Sequence, residues 1–371
     1  MNYFIKRVLM ICLLASGMLA VPLSAFAGGG EAEEPIAEEA MAEEPMAEEA
    51  MPGEALVKDT DVSIYGRFWP RITYKDADGG STDITDALSR VGIKANTRIS
   101  DTLTAVLHGE WDVDIEANGD FGDARQAYVG LKSSDFGFVG IGKQWDPYFN
   151  VIAEVTDIFY HRASPFGYDN EGPFRSNNLV RYAHSVGNLS VDAGMQVNGS
   201  PENNAGHNFF RTNADTSSAP DDVDAASVGL SYRGGPLYVG ASYLRQNKGN
   251  DLEKDFFGVG ASLNATENLY LAVTYQYIQD NHDDGSETNP YTLDVAGALS
   301  FGGGMTALAG FYAYDKDDGS TEKLGCNVTL IKEVHPSTDI FVEWVLVEPE
   351  EGDTENTISL GFRYDFDVAI F

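Results

Sequence analysis

The sequence predicts an all-β fold, a transmembrane antiparallel β-barrel of about sixteen strands with one long loop folded inward. Three observations carry this. From Leu56 onward, short segments alternate apolar and polar residues with period two, separated by Gly, Asp, Asn and Ser clusters at hairpin spacings. Beyond an N-terminal leader no apolar run approaches the length of a spanning helix, so a membrane protein built from this chain must be a closed barrel. The polar faces are rich in Gly, Ser, Asn and charge, as strands with lipid outside and water inside require, and Tyr and Phe gather near segment ends.

Residues 1–27 have a cationic start at Lys6 and Arg7, an apolar run from Val8 to about Val21 and a small-residue ending, Ala25-Phe-Ala27. This is the pattern of a cleaved secretory signal peptide. Residues 28–56 are a low-complexity acidic tail built on an Ala-Glu-Glu-Pro/Ala-Met/Ile repeat, with ten glutamates and no basic residue. So little bulk and so much like charge predicts a disordered segment, either a solvated spacer or a periplasmic tether or lid.

Residues 57–371 form the expected barrel. Segments fall near 61–74, 87–100, 102–116, 122–133, 136–143, 177–187, 188–199, 223–233, 236–247, 254–266, 268–280, 288–301, 304–315, 321–334, 337–348 and 355–370. In 257–265 Phe257, Val259, Ala261, Leu263 and Ala265 share one face, and Gly258, Gly260, Ser262 and Asn264 the other. Short joints such as Ser100-Asp101 and Gly187-Asn188 are expected on the periplasmic side; the longer acidic joints at 75–86, 200–222, 281–287 and 315–320 are expected outside. The alternation closes at Phe366, leaving the final Phe371 out of phase unless the last strand contains a bulge.

The stretch 143–178 has no strand pattern. A loop of that length in an all-β protein is usually functional, and here it is expected to fold into the barrel and narrow the lumen. Parity supplies the wall opposite it. Arg90, Lys94 and Arg98 share a face opposite Val91, Ile93 and Ile99, and Arg67 and Arg71 sit opposite Ile64, Phe68 and Ile72; charge on the lipid face is costly, so these rows belong inside. Arg125, by contrast, shares parity with Ala127, Val129 and Leu131.

Five fragments carry a family likeness. Tyr65-Gly-Arg67, Ser89-Arg-Val-Gly-Ile-Lys94, Ala124-Arg-Gln-Ala-Tyr-Val-Gly-Leu131, Phe136-Gly-Phe-Val-Gly-Ile-Gly-Lys143 and Arg175-Ser-Asn-Asn-Leu-Val-Arg-Tyr182 occur in an order that resembles the general diffusion porins of Gram-negative outer membranes. The resemblance implies a sixteen-stranded homotrimer in the outer membrane whose third external loop constricts an aqueous pore for small hydrophilic solutes and ions. It also implies a basic wall at Arg67, Arg90, Arg125 and Arg175, facing a loop carboxylate at Asp157. The family's second loop carboxylate falls near His161, a departure for which Glu154 is the expected substitute, and which brings a group able to titrate near neutrality.

The formal charge of −34 becomes −36 once Lys6 and Arg7 leave with the leader, and −26 for the barrel without the ten tail glutamates. Such a balance concentrates cations and repels anions, predicting a modest cation preference, and has the wrong sign for binding nucleic acid. The acidic clusters at Asp76, Asp280–Asp284 and Asp315–Asp318 read as solvated turns, with divalent bridging to lipopolysaccharide as the alternative; none has calcium-loop spacing. The six histidines show no metal spacing, and there is no nucleophile elbow or phosphate loop, so no catalytic residue, metal or cofactor is expected. Two other readings stay open: a substrate-selective channel using the loop aromatics, and a structural barrel whose tail or loops bind a partner.

Overall fold

The computed structural model describes residues 59–76, 79–117, 119–160, 166–197, 223–249, 252–350 and 352–370. The expected leader, the acidic tail and His161 lie outside these residues. Strand β1 runs Thr60–Phe68 and resumes after Trp69 as Pro70–Asp76; β2 comprises Ser81–Asp86 and Arg90–Ser100. There follow β3 (Leu103–Val113), β4 (Phe121–Ser133), β5 (Gly137–Trp145), β6 (Arg175–Val186), β7 (Leu189–Gln196), β8 (Ala225–Gly234), β9 (Leu237–Gly249) and β10 (Leu252–Thr266). The chain continues through β11 (Leu269–Asn281), β12 (Tyr291–Ser300, preceded by the short Glu287–Thr288), β13 (Met305–Asp315), β14 (Glu322–His335), β15 (Thr338–Pro349) and β16 (Glu355–Ala369).

The nineteen hydrogen-bonded segments thus make sixteen spanning strands in one antiparallel sheet. Strand β1 pairs with β2 on one side and with β16 on the other, so the sheet closes and, among the described residues, no edge strand is left. Turns after even-numbered strands are short, as at 101–102, 187–188, 235–236, 267–268 and 336–337, whereas connections after odd-numbered strands include the long 114–120 and 146–174. One expected joint is corrected. Residues 75–86 are not a free loop, because Ser81-Thr-Asp-Ile-Thr-Asp86 alternates well enough to pair back onto Pro70–Lys75.

Alternation fixes what each face meets. On β10 Phe257, Val259 and Leu263 are exposed on the outside while Gly258, Gly260 and Ser262 are buried inside. Leu271, Val273, Val295, Val342 and Leu360 continue this exposed apolar belt on neighbouring strands, an arrangement that only lipid can solvate favourably. At the C-terminus β16 pairs with β1 in unbroken register from Phe68↔Tyr364 to Ser63↔Ala369. There is no bulge in that pairing, and Phe362, Tyr364, Val368 and Ile370 extend the outer row past Phe366.

Candidate functional site: the inward loop and the wall it faces

The loop leaves the wall at Asp146. This carboxylate caps the short helix α1 (Pro147–Ile152) by accepting from Tyr148 N at 2.8 Å, and it accepts from Ser176 Oγ at 2.7 Å. Pro147 at the first helical turn has no N–H to leave unsatisfied. The Asp146 amide donates to Phe174 O at 2.9 Å, which ties the two ends of the loop together at its neck.

Glycines decide where α1 lies. A Cβ on Gly240 would stand 2.2 Å from Val151 O, and one on Gly260 would stand 2.1 Å from Ile152 O. The glycines alternating inward on β8–β10 are therefore a seat that lets backbone meet backbone. From there the loop is stitched to the inner wall. Tyr238, Thr274 and Tyr270 donate to the carbonyls of Val151, Ile152 and Val155 at 2.8, 2.7 and 2.7 Å. Phe159 packs over Gly310, and Tyr160 donates to Asp339 Oδ2 at 2.7 Å. On the return, Gly167 and Tyr168 amides donate to Asp294, and Glu171 accepts from Lys254 at 2.7 Å and Tyr314 at 2.6 Å. Every one of these wall groups has inward parity, so the loop lies inside the barrel.

Most of the expected basic wall gathers on β1–β6. Arg125 turns inward against its apparent parity because Glu110↔Gln126 is followed by Trp111↔Ala124, which leaves Arg125 as the extra residue of a β-bulge. Its buried guanidinium donates to Glu110 Oε1 at 2.8 Å and Asp112 Oδ1 at 2.9 Å. Arg90 reaches Glu110 at 3.5 Å, and Arg67 pairs with Asp365 at 2.5 Å. Arg175 stacks on Trp145 at 3.8 Å and makes no ion pair among the described residues, while Lys94 lies 4.3 Å over Tyr65. Arg98 does not join them; it pairs with Asp59 at the short-turn end of β2 and is largely exposed.

On the loop, Asp157 is exposed to the interior, within electrostatic reach of Arg175, Arg90 and Arg125. Glu154 is also exposed, within electrostatic reach of Arg233 and Arg181. Sequence reasoning missed the wall's own acids. Glu110 and Asp112 follow His108 at period two on β3, and Asp365 and Arg363 follow the same rule on β16; parity was the signal. Arg363 bridges Asp339 at 2.7 Å and Asp365 at 2.9 Å and lies 4.8 Å from the Tyr160 ring, linking wall to loop.

In the joints at 281–287 and 315–320, Asp284 and Asp318 use their carboxylates locally. Asp318 accepts from the Ser320 and Thr321 amides and hydroxyls, which hold its carboxyl below the usual range, and Asp284 accepts from Ser286 in the same way. These are self-bonded turns of the kind Asp and Ser favour.

A closed sixteen-stranded barrel with an apolar belt, a charged interior and its own loop inside defines a channel protein of the bacterial outer membrane. The chain belongs to the Gram-negative porin family, which matches residues 19–367. It is 26% identical over 349 residues to an outer membrane porin protein of Bordetella pertussis, covering 83% of this chain and 86% of that one. It is 27% identical over 353 residues to outer membrane porin F of Xenorhabdus nematophila, covering 82% and 92%. Among solved structures, an anion-selective porin from Comamonas acidovorans superposes with a TM-score of 0.67 at 16% identity, covering 83% of this chain and all of that one. The trimer form of OmpT from Vibrio cholerae superposes with a TM-score of 0.64 at 16% identity, covering 83% and 99%.

Proposed function

We propose that this porin passes small hydrophilic solutes and ions by passive diffusion, with a modest preference for cations, and that it works as a homotrimer. In this reading the loop within 143–178 constricts the pore. Arg67, Arg90, Lys94, Arg125 and Arg175 form the wall it faces, and Asp157 is the carboxylate the passing ion meets. The observation that carries the cation preference is the acidic charge of the barrel sequence, −26 without the leader and the tail. On the wall Arg67, Arg90 and Arg125 are paired with Asp365, Glu110 and Asp112, whereas Lys94, Arg175 and the loop's Asp157 have no ion pair among the described residues. The enclosed surroundings of Asp157 push its carboxyl up to about 7, so its contribution to the preference grows as pH rises through that value.

Single-channel recording of the mature protein in planar bilayers, with reversal potentials under a KCl gradient, tests this. The expected result is conductance in groups of three steps and a cation-to-anion permeability ratio above unity that falls about twofold in Asp157→Asn. A folded barrel that never conducts would overturn the diffusion reading in favour of a structural, partner-binding barrel. A ratio untouched by the substitution would remove Asp157 from the passage.

A further inference from the structure

On the short-turn side of α1 the loop stands off the wall and leaves a cavity of about 460 Å³, lined on β4–β8 by Lys132, Ser185, Ser190, Ser231 and Arg233 and on the loop by Glu154. A volume of that size suits a single small solute. The chain as a whole is strongly acidic, yet the charge left available here is mostly positive. Asp192, which also lines the cavity, is neutralised by two bonds from Arg181 at 2.8 and 2.6 Å. Lys132 and Arg233 make no ion pair among the described residues, and Glu154 is the other carboxylate of the described lining, within electrostatic reach of Arg233.

Arg233 is also held ready. Its guanidinium lies 4.6 Å from the centroid of the Tyr238 ring, and that ring is fixed by its own hydroxyl donating to Val151 O at 2.8 Å. A guanidinium supported on its face keeps its N–H edge free for the two parallel bonds that a carboxylate or phosphate accepts. The adjoining serine hydroxyls, with Ser185 Oγ and Ser190 Oγ 2.7 Å apart, both donate and accept, as recognition of neighbouring sugar hydroxyls requires.

We infer that this cavity is a binding site for a small anionic polyol, a carboxylate- or phosphate-bearing sugar, with Lys132 and Arg233 taking the anion and Ser185, Ser190 and Ser231 the hydroxyls. The inference rests on the lumen being open to solutes, as proposed above, but its test does not require conduction. Titration calorimetry on the folded mature protein in detergent, with gluconate and glucose 6-phosphate as probes and acetate and sorbitol as controls, separates charge from hydroxyl recognition. Saturable binding is expected for the first two, about tenfold tighter than for either control. Stronger binding of one probe than the other identifies the anion as carboxylate or phosphate. Arg233→Gln and Lys132→Gln should each weaken it about fivefold, while Glu154→Gln should tighten it about threefold by removing the opposing charge, a gain that misfolding does not produce. Equal binding of acetate or sorbitol, or affinities unmoved by the three substitutions, would overturn the site. A barrel that binds gluconate but does not conduct would keep the site and strike the diffusion reading instead.

Discussion

At the scale of single residues, the interior is organised by carboxylates that sit beside the arginines. Glu110 is nearly enclosed and takes charge-assisted bonds from Arg125 and a hydroxyl from Tyr65 at 2.8 Å. Removing one partner of a buried pair leaves the other's charge uncompensated, so Arg125→Met is expected to destabilise the barrel by about 3 kcal/mol, whereas a change at the exposed Arg98 should cost about 0.5 kcal/mol or less. Urea unfolding in lipid vesicles followed by tryptophan fluorescence measures both, and equal losses would show that the Glu110 pair is solvated like a surface one. Arg125 also shows where reading the chain falls short. Period-two counting sends it to the lipid, and only a bulge, set by how β3 and β4 pair across the sheet, turns it inward. The inward directions of Arg67, Arg90 and Lys94 needed no such information, since their strands carry no irregularity between the residues that define the two faces.

At the scale of elements, the loop and its glycine seat are one device. Alanine at Gly240 or Gly260 places a methyl carbon where a loop carbonyl now sits, so the carbonyl must move off the wall and into the passage. Gly260→Ala is expected to lower unit conductance by about a third or more, whereas Gly297→Ala, whose added carbon would meet Leu271 at an ordinary 3.4 Å, should leave it unchanged. Unaltered conductance in Gly260→Ala would mean that the loop yields sideways without entering the passage. The loop's existence was legible, because 143–178 lacks alternation. Its path was not. Which tyrosines and threonines would hold it depends on strands 87 or more residues later, as for Val151 and Tyr238, and on small residues whose purpose is invisible until something lies against them.

At the scale of the whole molecule, the two faces of the sheet answer to two solvents. Val259 lies at the middle of β10 and is half exposed on the outer face. Val259→Arg should therefore cost about 2–4 kcal/mol of folding free energy in vesicles, the expected penalty for a cation near the bilayer midplane. Ser262, on the opposite face of the same strand, should accept Asn at about a quarter of that cost or less. Equal penalties at the two positions would contradict the assignment of inside and outside. This two-solvent pattern was the most readable property of the chain, because it repeats along every strand and demands no knowledge of which strands are neighbours.

The pairing of β1 with β16 has a consequence beyond closing the sheet. Arg67 and Asp365, which meet there, are 298 positions apart, and Arg363 beside them also holds Asp339 and leans on the loop ring of Tyr160. Neighbouring hairpins can form as soon as their own residues are available, but this contact joins the two ends of the barrel sequence. The charge arrangement at that side of the lumen is therefore a signature of a finished molecule: a chain stalled one hairpin short would own nearly all the same residues and still lack the electrostatic character of the channel.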